Sequence, residues 1–301
     1  MSLSLLANIT ALEASNSLNS ISARASSTLA QLASGSRINS AADDPAGLSI
    51  VNGMNANILA LSQSQDNTSE SISMLKVADG ALSQVTNLLN RAVTLATESS
   101  NGTLNTTQTK AADQEYQSIL DEITNIGSTT TFNQQTVFGR TVDNFTSDGS
   151  LLGSFIDSLT FAPLSSSTLG DVGGSINYTD ATVSTAGKMS YTSGTSVSLS
   201  STSLANSSSA QSALTAINSA ISAVAAQDGY IGAQVNTLDA QKGVLSSQEE
   251  YTLEAENSIQ GTDYAAATTA LANEQVRMQM AIAAIAQANS MNQEVVKLLQ
   301  T

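Results

Sequence analysis

Apolar residues recur every seven positions over long stretches near both ends of this 301-residue chain. This repeat restricts the fold more than any other feature, because an apolar helical stripe has to be covered by a partner helix. From the amino end, a short repeat stops at Gly35 and a long one starts at Asp43-Asp44-Pro45, where an acidic cap precedes a proline suited to a first helical turn. From the carboxyl end, a short repeat and a long one meet at Gly261-Thr262-Asp263. The matching order of the breaks predicts that the two ends pair with each other.

The long amino-terminal repeat is predicted to present two adjoining rows, one through Met54 and one through Val51. It ends at the turn pair Asn101-Gly102, and a second helix is expected from Thr106 or Thr107 to Gly127. The long carboxy-terminal repeat is predicted to present rows through Ile217 and Leu214.

Paired ends of this kind form a long rod with too little surface of its own to cover every stripe, so the remaining stripe is expected to bind other copies of the chain. The residues predicted to form these self-assembly seams are Leu18, Ile21, Leu32, Leu75, Leu82, Leu89, Ile231, Leu238, Leu245, Met278, Ile282, Ile285, Val296 and Leu299.

The composition changes near residue 128. Residues 128–209 are rich in Ser, Thr, Gly, Asp and Asn, with short β-branched and aromatic runs that are typical of strands and turns. Residues 132–140 are expected to form a hairpin, and the rest is compatible with a small sandwich or a loose arm. The predicted fold class is therefore mainly α: a long antiparallel helical coiled-coil rod built from both chain ends, with a β-hairpin and a small β-rich or irregular central outer segment.

Composition also excludes several function classes. The chain has no Cys and no His, so a zinc site, a haem site, a Cys nucleophile and a His general base are all excluded. A net charge of −15 with 10 scattered cations argues against binding to nucleic acid. We therefore expect no catalytic residues, no metal, no cofactor and no enzyme activity, and the Asp43-Asp44 pair is interpreted as a helix cap.

Two features bear on targeting. Residues 278–286 form the longest nearly apolar run and are too short to span a bilayer, so no membrane insertion is expected. Residues 1–23 lack the basic start and apolar core of a cleavable signal peptide, which by itself indicates a cytoplasmic protein.

Several terminal motifs resemble those of a known family. Residues 32–50, which read LASGSRINSAADDPAGLSI, closely resemble the amino-terminal signature of bacterial flagellin. Ile231-Gly-Ala, residues 261–265 (GTDYA), residues 286–289 (AQAN) and residues 295–299 (VVKLL) resemble its carboxy-terminal signature. The resemblance covers roughly residues 1–140 and 210–301, and it leaves the middle unmatched.

The resemblance implies a domain order. Residues 1–42 and 262–301 would form an inner coiled coil, whereas residues 43–140, which include the hairpin, and residues 210–261 would form an outer helical rod. Residues 141–209 would form a variable segment exposed on the outer surface.

The resemblance also implies a function, that of a subunit of the extracellular bacterial flagellar filament that serves motility. Flagellins leave the cell through the flagellar type III export apparatus, helped by a chaperone and without a cleaved signal peptide, which would replace the cytoplasmic expectation. They polymerise beneath a filament cap into a helical homopolymer of eleven protofilaments that joins the hook through hook-associated junction proteins.

Some flagellins bind an innate immune receptor, Toll-like receptor 5, through an Arg, a Leu four residues on and a Glu on the next helix. Arg91, Leu95 and Glu115 occupy the matching places in this chain, while Val93 and Thr94 depart from the usual motif. The alternative interpretation is that Arg91 and Glu115 serve subunit packing.

Three other kinds of protein are alternatives to a plain filament subunit. The hook–filament junction protein shares the terminal helices of flagellin, and it is the alternative to a filament subunit. An extracellular coiled-coil adhesin would carry a membrane anchor. A flagellin with a zinc protease in its central segment is excluded by the absence of His.

Overall fold

The computed structural model describes residues 9–147, 154–160, 164–167, 173–179, 187–192 and 197–299. Within these residues the chain is mainly helical with long antiparallel helices, which confirms the predicted fold class. The helices are α1 (Ile9–Ser34), α2 (Pro45–Ser100), α3 (Thr106–Thr129), α4 (Ser207–Gln260) and α5 (Tyr264–Leu299). The strands are β1 (Thr131–Phe132), β2 (Gln135–Thr136), β3 (Thr141–Ser147), β4 (Ser154–Thr160), β5 (Gly173–Thr179) and β6 (Gly187–Thr192).

The chain divides into two compact units. The first, here called the terminal unit, holds described residues 9–56 and 252–299. The second, the central unit, holds residues 57–251. Helices α2 and α4 contribute residues to both units.

In the terminal unit, α1 packs along α5, and both helix breaks predicted from the sequence are present. Gly35 ends α1 with a φ of +72°, in the left-handed region that favours glycine. The backbone then forms an antiparallel bridge between Ser36 and Gly261. Because the end of α1 thereby lies beside the start of α5, the two helices run antiparallel.

Three hydrogen bonds hold this joint between residues 35–37 and 259–262 together, and the two backbone bonds among them form the bridge. The backbone N–H of Arg37 donates to the carbonyl of Gln260 at 2.6 Å, and the N–H of Thr262 donates to the carbonyl of Gly35 at 3.1 Å. The Arg37 guanidinium donates from Nη2 to the carbonyl of Ile259 at 2.7 Å. The chain thus satisfies carbonyl groups that the end of α4 leaves without a helical partner.

The start of α2 is capped as the sequence predicts. Asp44 accepts a hydrogen bond from the backbone N–H of Gly47 at 2.9 Å, which satisfies one of the free N–H groups of the first turn. Asp43 accepts from the hydroxyl and the N–H of Ser40 and from the N–H of Asn39. These bonds, led by the Ser40 hydroxyl, hold the pKa of Asp43 below its ordinary value. Both carboxylates therefore have a local structural role.

In the central unit, α2 and α4 run antiparallel. Gln65 donates to Glu249 at 2.5 Å, and Ser207 donates to the carbonyl of Ser100 at 2.6 Å, so later positions on α2 meet earlier positions on α4. Helix α3 folds back on α2 after a capping box at Asn105. The result is one hydrophobic core to which α2, α3 and α4 all contribute buried side chains.

One row of each long helix is buried as predicted, but its companion row differs. In the central unit, the row through Met54 is confirmed by the burial of Leu61, Thr68, Leu75, Leu82, Leu89 and Ala96. Its companion is a row of mostly small residues, namely Ser64, Ser71, Ala78, Val85, Ala92 and Ser99. Of the predicted row through Val51, Ile72 is buried there, whereas Asp79 is exposed and Gln65, Thr86 and Val93 are only half-buried.

The same correction applies to α4. The row through Ile217 is confirmed, and its companion is Ala213, Ala220, Gln227 and Gln234 instead of Leu214, Ile221 and Val235, which are half-buried. A search for large apolar residues misses Ala, Ser and Gln. The small side chains of Ala and Ser let two helices approach closely, and a long Gln side chain fills the space between them.

The predicted hairpin is present and short. Strands β1 and β2 pair antiparallel, and the turn residues Asn133 and Gln134 both have positive φ, as a two-residue type I′ hairpin requires. Helix α3 continues past Gly127 to Thr129, so the prediction that Gly127 ends it is wrong. Gly127 is buried, and a Cβ there would overlap the carbonyl oxygen of Leu164. The glycine thus permits a close approach within the helix.

Strands β3 to β6 form one four-stranded antiparallel sheet in sequential order. Of the two alternatives that the sequence leaves open, the described strands show neither the two facing sheets of a sandwich nor an arm without strands. The expectation that residues 141–209 lie wholly on the outer surface is wrong for two short pieces. Leu164, Leu199 and Leu204 are buried in the same core as α2, α3 and α4.

A carboxyl pair joins α2 to α4 and generates a testable pH dependence. The side chains of Asp79 and Asp228 are hydrogen-bonded, and this bond, with partial burial and the charge of Asp79, raises the pKa of Asp228 from 3.8 to about 6. Because the pKa is higher in the folded state, the protonated Asp228 stabilises that state. This contribution to the free energy of unfolding is complete below the unfolded-state pKa of 3.8 and is lost as the pH rises through about 6.

We therefore expect Asp79→Asn to gain stability relative to the wild type between about pH 4 and about pH 7, because the amide hydrogen-bonds without a like charge. The gain should stay below about 1 kcal/mol, since both side chains are largely exposed and screened by solvent. Urea unfolding of the monomer across this range measures it, with Asp239→Asn on the exposed face of α4 as the control. Identical pH profiles for the two variants would contradict the prediction.

Candidate assembly and binding surfaces

Six of the predicted self-assembly seam residues lie inside the core of the central unit. Each is between 0% and 4% exposed, so none of them is available to a second copy of the folded chain. They are Leu75, Leu82, Leu89, Ile231, Leu238 and Leu245. Their assignment to a self-assembly surface is wrong, because the packing within one chain already buries these positions of α2 and α4.

The seam residues of the terminal unit are covered much less. Leu18, Ile21, Leu32, Met278 and Ile285 are half-buried, and Ile282 is 54% exposed. The side chains of Val296 and Leu299 lie outside the described residues. Ala25 is the one buried residue of α1. The pairing of α1 with α5 therefore leaves much of both apolar stripes open.

Further apolar side chains are exposed on faces outside the predicted seams. On α5, Val276, Met280 and Met291 are 53–67% exposed. They lie four and eleven residues apart, close to whole helical turns, so they share one face. On α1, Ile9, Leu12 and Leu29 are similarly exposed. The signal that could have found the α5 face is this second spacing, which runs beside the predicted seam.

The predicted receptor residues are only partly brought together. Arg91 and Glu115 form an ion pair with 2.7 Å between Nε and Oε1, and the two side chains are 53% and 46% exposed. The hydrogen bond between them raises the pKa of Arg91 and lowers that of Glu115. Leu95 is 3% exposed and belongs to the core, so it is not part of a free surface. What remains on the surface is a charged pair that joins α2 to α3.

The described part of the chain holds no group of three or more acidic side chains placed to bind a metal ion. No helix in that part is both long and apolar enough to span a bilayer.

Comparison with known families matches both ends of the chain. The family model for the bacterial flagellin N-terminal helical region matches residues 5–143, and the model for the bacterial flagellin C-terminal helical region matches residues 214–299. The first region contains α1, α2, α3 and the hairpin, and the second contains most of α4 and all of α5.

Individual relatives agree with these matches. The chain is 42% identical to a flagellin of Clostridium tyrobutyricum over 128 residues, which are 42% of this chain and 34% of that protein. It is 45% identical to a flagellin of Halalkalibacterium halodurans over 114 residues, which are 38% of this chain and 42% of that protein. The crystal structure of Bacillus cereus flagellin superposes with a TM-score of 0.43 at 26% identity, covering 60% of this chain and 88% of that one.

The chain thus spans between about a third and two fifths of the length of these two curated relatives. The matched residues include the joint and the paired terminal helices. With the N-terminal and C-terminal helical regions present in the family's order, the chain belongs to the bacterial flagellins.

Proposed function

We propose that this chain is a structural subunit that polymerises into the bacterial flagellar filament and has no enzymatic role. The observation that carries the proposal is the combination of flagellin helical regions at both ends with a helix pair, α1 and α5, that leaves its apolar stripes open. Contiguous apolar side chains exposed on a helix pair are typical of a surface that binds a partner, and other copies of the chain would shield them from water.

Polymerisation would couple to the folding of the terminal unit. Ordering a residue costs about 1–2 kcal/mol of backbone entropy, whereas a fully buried Leu or Met contributes about 1.5–3 kcal/mol. In α1 one Ala is buried and the larger seam residues are only half-buried. In a lone subunit, the free energy gained by pairing α1 with α5 is therefore close to the entropy cost of ordering the two helices. Neighbouring subunits would supply the missing contacts, as in other segments that become ordered on binding.

The proposed location and partners are those that the resemblance to flagellins implies. The subunit would act outside the cell in the filament, after export by the flagellar type III apparatus and its chaperone without a cleaved signal peptide. It would assemble beneath the filament cap into eleven protofilaments and join the hook through hook-associated junction proteins. The family matches support a filament subunit, and no observation favours the junction-protein alternative.

The exposed face of α5 provides a first test. Met280→Glu should raise the subunit concentration needed for polymerisation by about 10-fold to 100-fold, since losing a buried Met forfeits about 1.5–3 kcal/mol at the subunit contact. The helix content of the monomer should stay unchanged, because Met280 is 67% exposed.

The matched control is Gln279→Glu, which adds the same charge at the adjacent exposed position. Light scattering of polymerising monomer gives the critical concentration for each variant. Equal values for the two variants would show that the apolar contact of Met280 plays no part in assembly.

We also propose that the Arg91–Glu115 pair is a contact for Toll-like receptor 5, while packing between subunits remains its alternative role. The pair is exposed on the monomer, which supports access by a partner. Without Leu95 the surface differs from the one expected, and it consists of a guanidinium and a carboxylate.

Glu115→Gln separates these roles. An exposed ion pair contributes about 0–1 kcal/mol, so the variant should fold normally, whereas a receptor contact would lose a charge and signalling by the monomer should fall several-fold. A receptor reporter assay on purified monomer measures this, with Glu122→Gln on the exposed face of α3 as the control. Silence of the wild-type monomer, or equal signalling by both variants, would leave only the packing role.

A further inference from the structure

We propose that Asn101-Gly102, in the turn between α2 and α3, is a spontaneous modification site, at which Asn101 is converted through a succinimide into aspartate and isoaspartate. The sequence marks this pair only as the end of a helix. The proposal concerns the folded monomer, goes beyond the proposed function and does not depend on filament assembly.

The turn leaves both reacting groups open to water. Asn101 and Gly102 are exposed, and they lie in the short link between Ser100 and Thr106. Within the part of the chain that the structure describes, neither the Asn101 side chain nor the Gly102 N–H has a hydrogen-bond partner. A Cβ on Gly102 would meet nothing within 4 Å, so no neighbouring group covers that side of the backbone. Water and hydroxide therefore reach the Asn101 amide and the Gly102 nitrogen.

Gly102 also favours ring closure by its own conformation. Its φ is +66°, in the left-handed region that favours glycine. Because glycine has no side chain, its nitrogen meets little steric resistance as it approaches the amide carbon of the residue before it. The turn thus combines a labile asparagine with an unhindered neighbour.

The reaction needs water and hydroxide but no oxidant or reductant. Hydroxide removes the proton of the Gly102 N–H, and the nitrogen attacks Cγ of Asn101. The new N–Cγ bond forms, the bond between Cγ and Nδ2 breaks, and the amide nitrogen takes a proton from water and leaves as ammonia. The product is a five-membered succinimide. Hydrolysis at Cγ gives aspartate, whereas hydrolysis at the backbone carbonyl carbon sends the main chain through the side chain as isoaspartate.

A second Asn-Gly pair in the same chain provides an internal comparison. Asn52 is exposed as well, and a Cβ on Gly53 would also meet nothing within 4 Å. This pair lies inside α2, where the helical pattern bonds the Gly53 N–H to the carbonyl of Ser49. The bonded N–H keeps its proton, and the helical backbone holds the nitrogen away from the Asn52 amide carbon. Attack there requires local opening of the helix, so we expect Asn101 to react at least about 10-fold faster than Asn52.

The modification alters the link that positions α3. A carboxylate at position 101 lies just beyond the C-terminus of α2, where the helix dipole disfavours an anion. The backbone N–H of Asn101 donates to the carbonyl of Glu98 at 3.4 Å, so a second acidic residue belongs to the same turn. Isoaspartate also adds one backbone carbon to a link that ends at the Asn105 cap of α3. A modified chain should therefore hold the end of α2 and the start of α3 less firmly.

Hydroxylamine tests the site directly, because it attacks a succinimide and cleaves the chain there. The folded wild type should be cut between residues 101 and 102, whereas the protein unfolded in urea should also be cut between residues 52 and 53. Asn101→Gln should abolish the cut in the folded protein, since glutamine closes a six-membered ring much more slowly. The matched control Asn52→Gln should leave that cut unchanged. Equal cleavage of the folded wild type at both pairs, or cleavage of the unfolded protein alone, would overturn the proposal.

Peptide mapping of aged protein tests the products. Folded protein kept in mildly alkaline buffer should accumulate aspartate and isoaspartate at Asn101, in the tryptic peptide of residues 92–110. Asn52, in the tryptic peptide of residues 38–76, should stay largely unmodified. Mass spectrometry locates each change, and an isoaspartyl methyltransferase labels the isoaspartate. An intact Asn101 after an incubation that modifies both pairs in the unfolded chain would contradict the assignment.

Discussion

The apolar stripes of α1 and α5 that stay uncovered in one chain are the constraint on which the rest of this flagellin depends. In the central unit, α2 shares one core with α3, α4, Leu164, Leu199 and Leu204. Side chains such as Leu75, Leu82 and Leu89 are fully buried there. In the terminal unit, α1 has α5 beside it, and its one buried residue is Ala25. The central unit covers its apolar stripes within one chain, whereas the terminal unit leaves apolar stripe open, which under the proposed function further copies would cover.

The joint connects these helices at one defined place. Gly35 permits the break after α1, and Gly261 permits the break between α4 and α5. The Arg37 guanidinium donates a hydrogen bond to the carbonyl of Ile259 at the end of α4. The bridge between Ser36 and Gly261 is made by two backbone hydrogen bonds, which join residues 37 and 260 and residues 262 and 35. It therefore fixes the order in which the terminal helices meet, while their apolar faces stay open for other contacts.

Strong local signals were enough to predict the helices and most of the breaks between them, though not the end of α3. Glycine, proline and acidic caps at 35, 43–45, 102 and 261–263 mark real breaks, because the chain there needs a left-handed residue or a capped first turn. The heptad rows through Met54 and Ile217 mark real core, because large apolar residues dominate them.

The features that were missed depend on tertiary contacts. Ser64, Ser71 and Gln234 are buried although no hydropathy pattern marks them, and Gly127 serves a close approach that a sequence shows only as a helix break. Leu95 and Leu199 are buried because α2, α3, α4 and residues 197–206 share one core, an arrangement that the repeat does not specify. For the assembly surface, the sequence showed that stripes exist, but the division between covered and open ones needed the three-helix arrangement.

Hydrogen exchange on the monomer and on the filament measures the central claim most directly. The account predicts that amides of α1 and α5 exchange at least about 100-fold faster than those of residues 72–96 in the monomer, because few buried contacts resist local opening. In the filament the same amides should become protected, whereas residues 72–96 should change little. Strong protection of α1 and α5 in the monomer, equal to that of residues 72–96, would show that the pair is stable alone and would contradict the account.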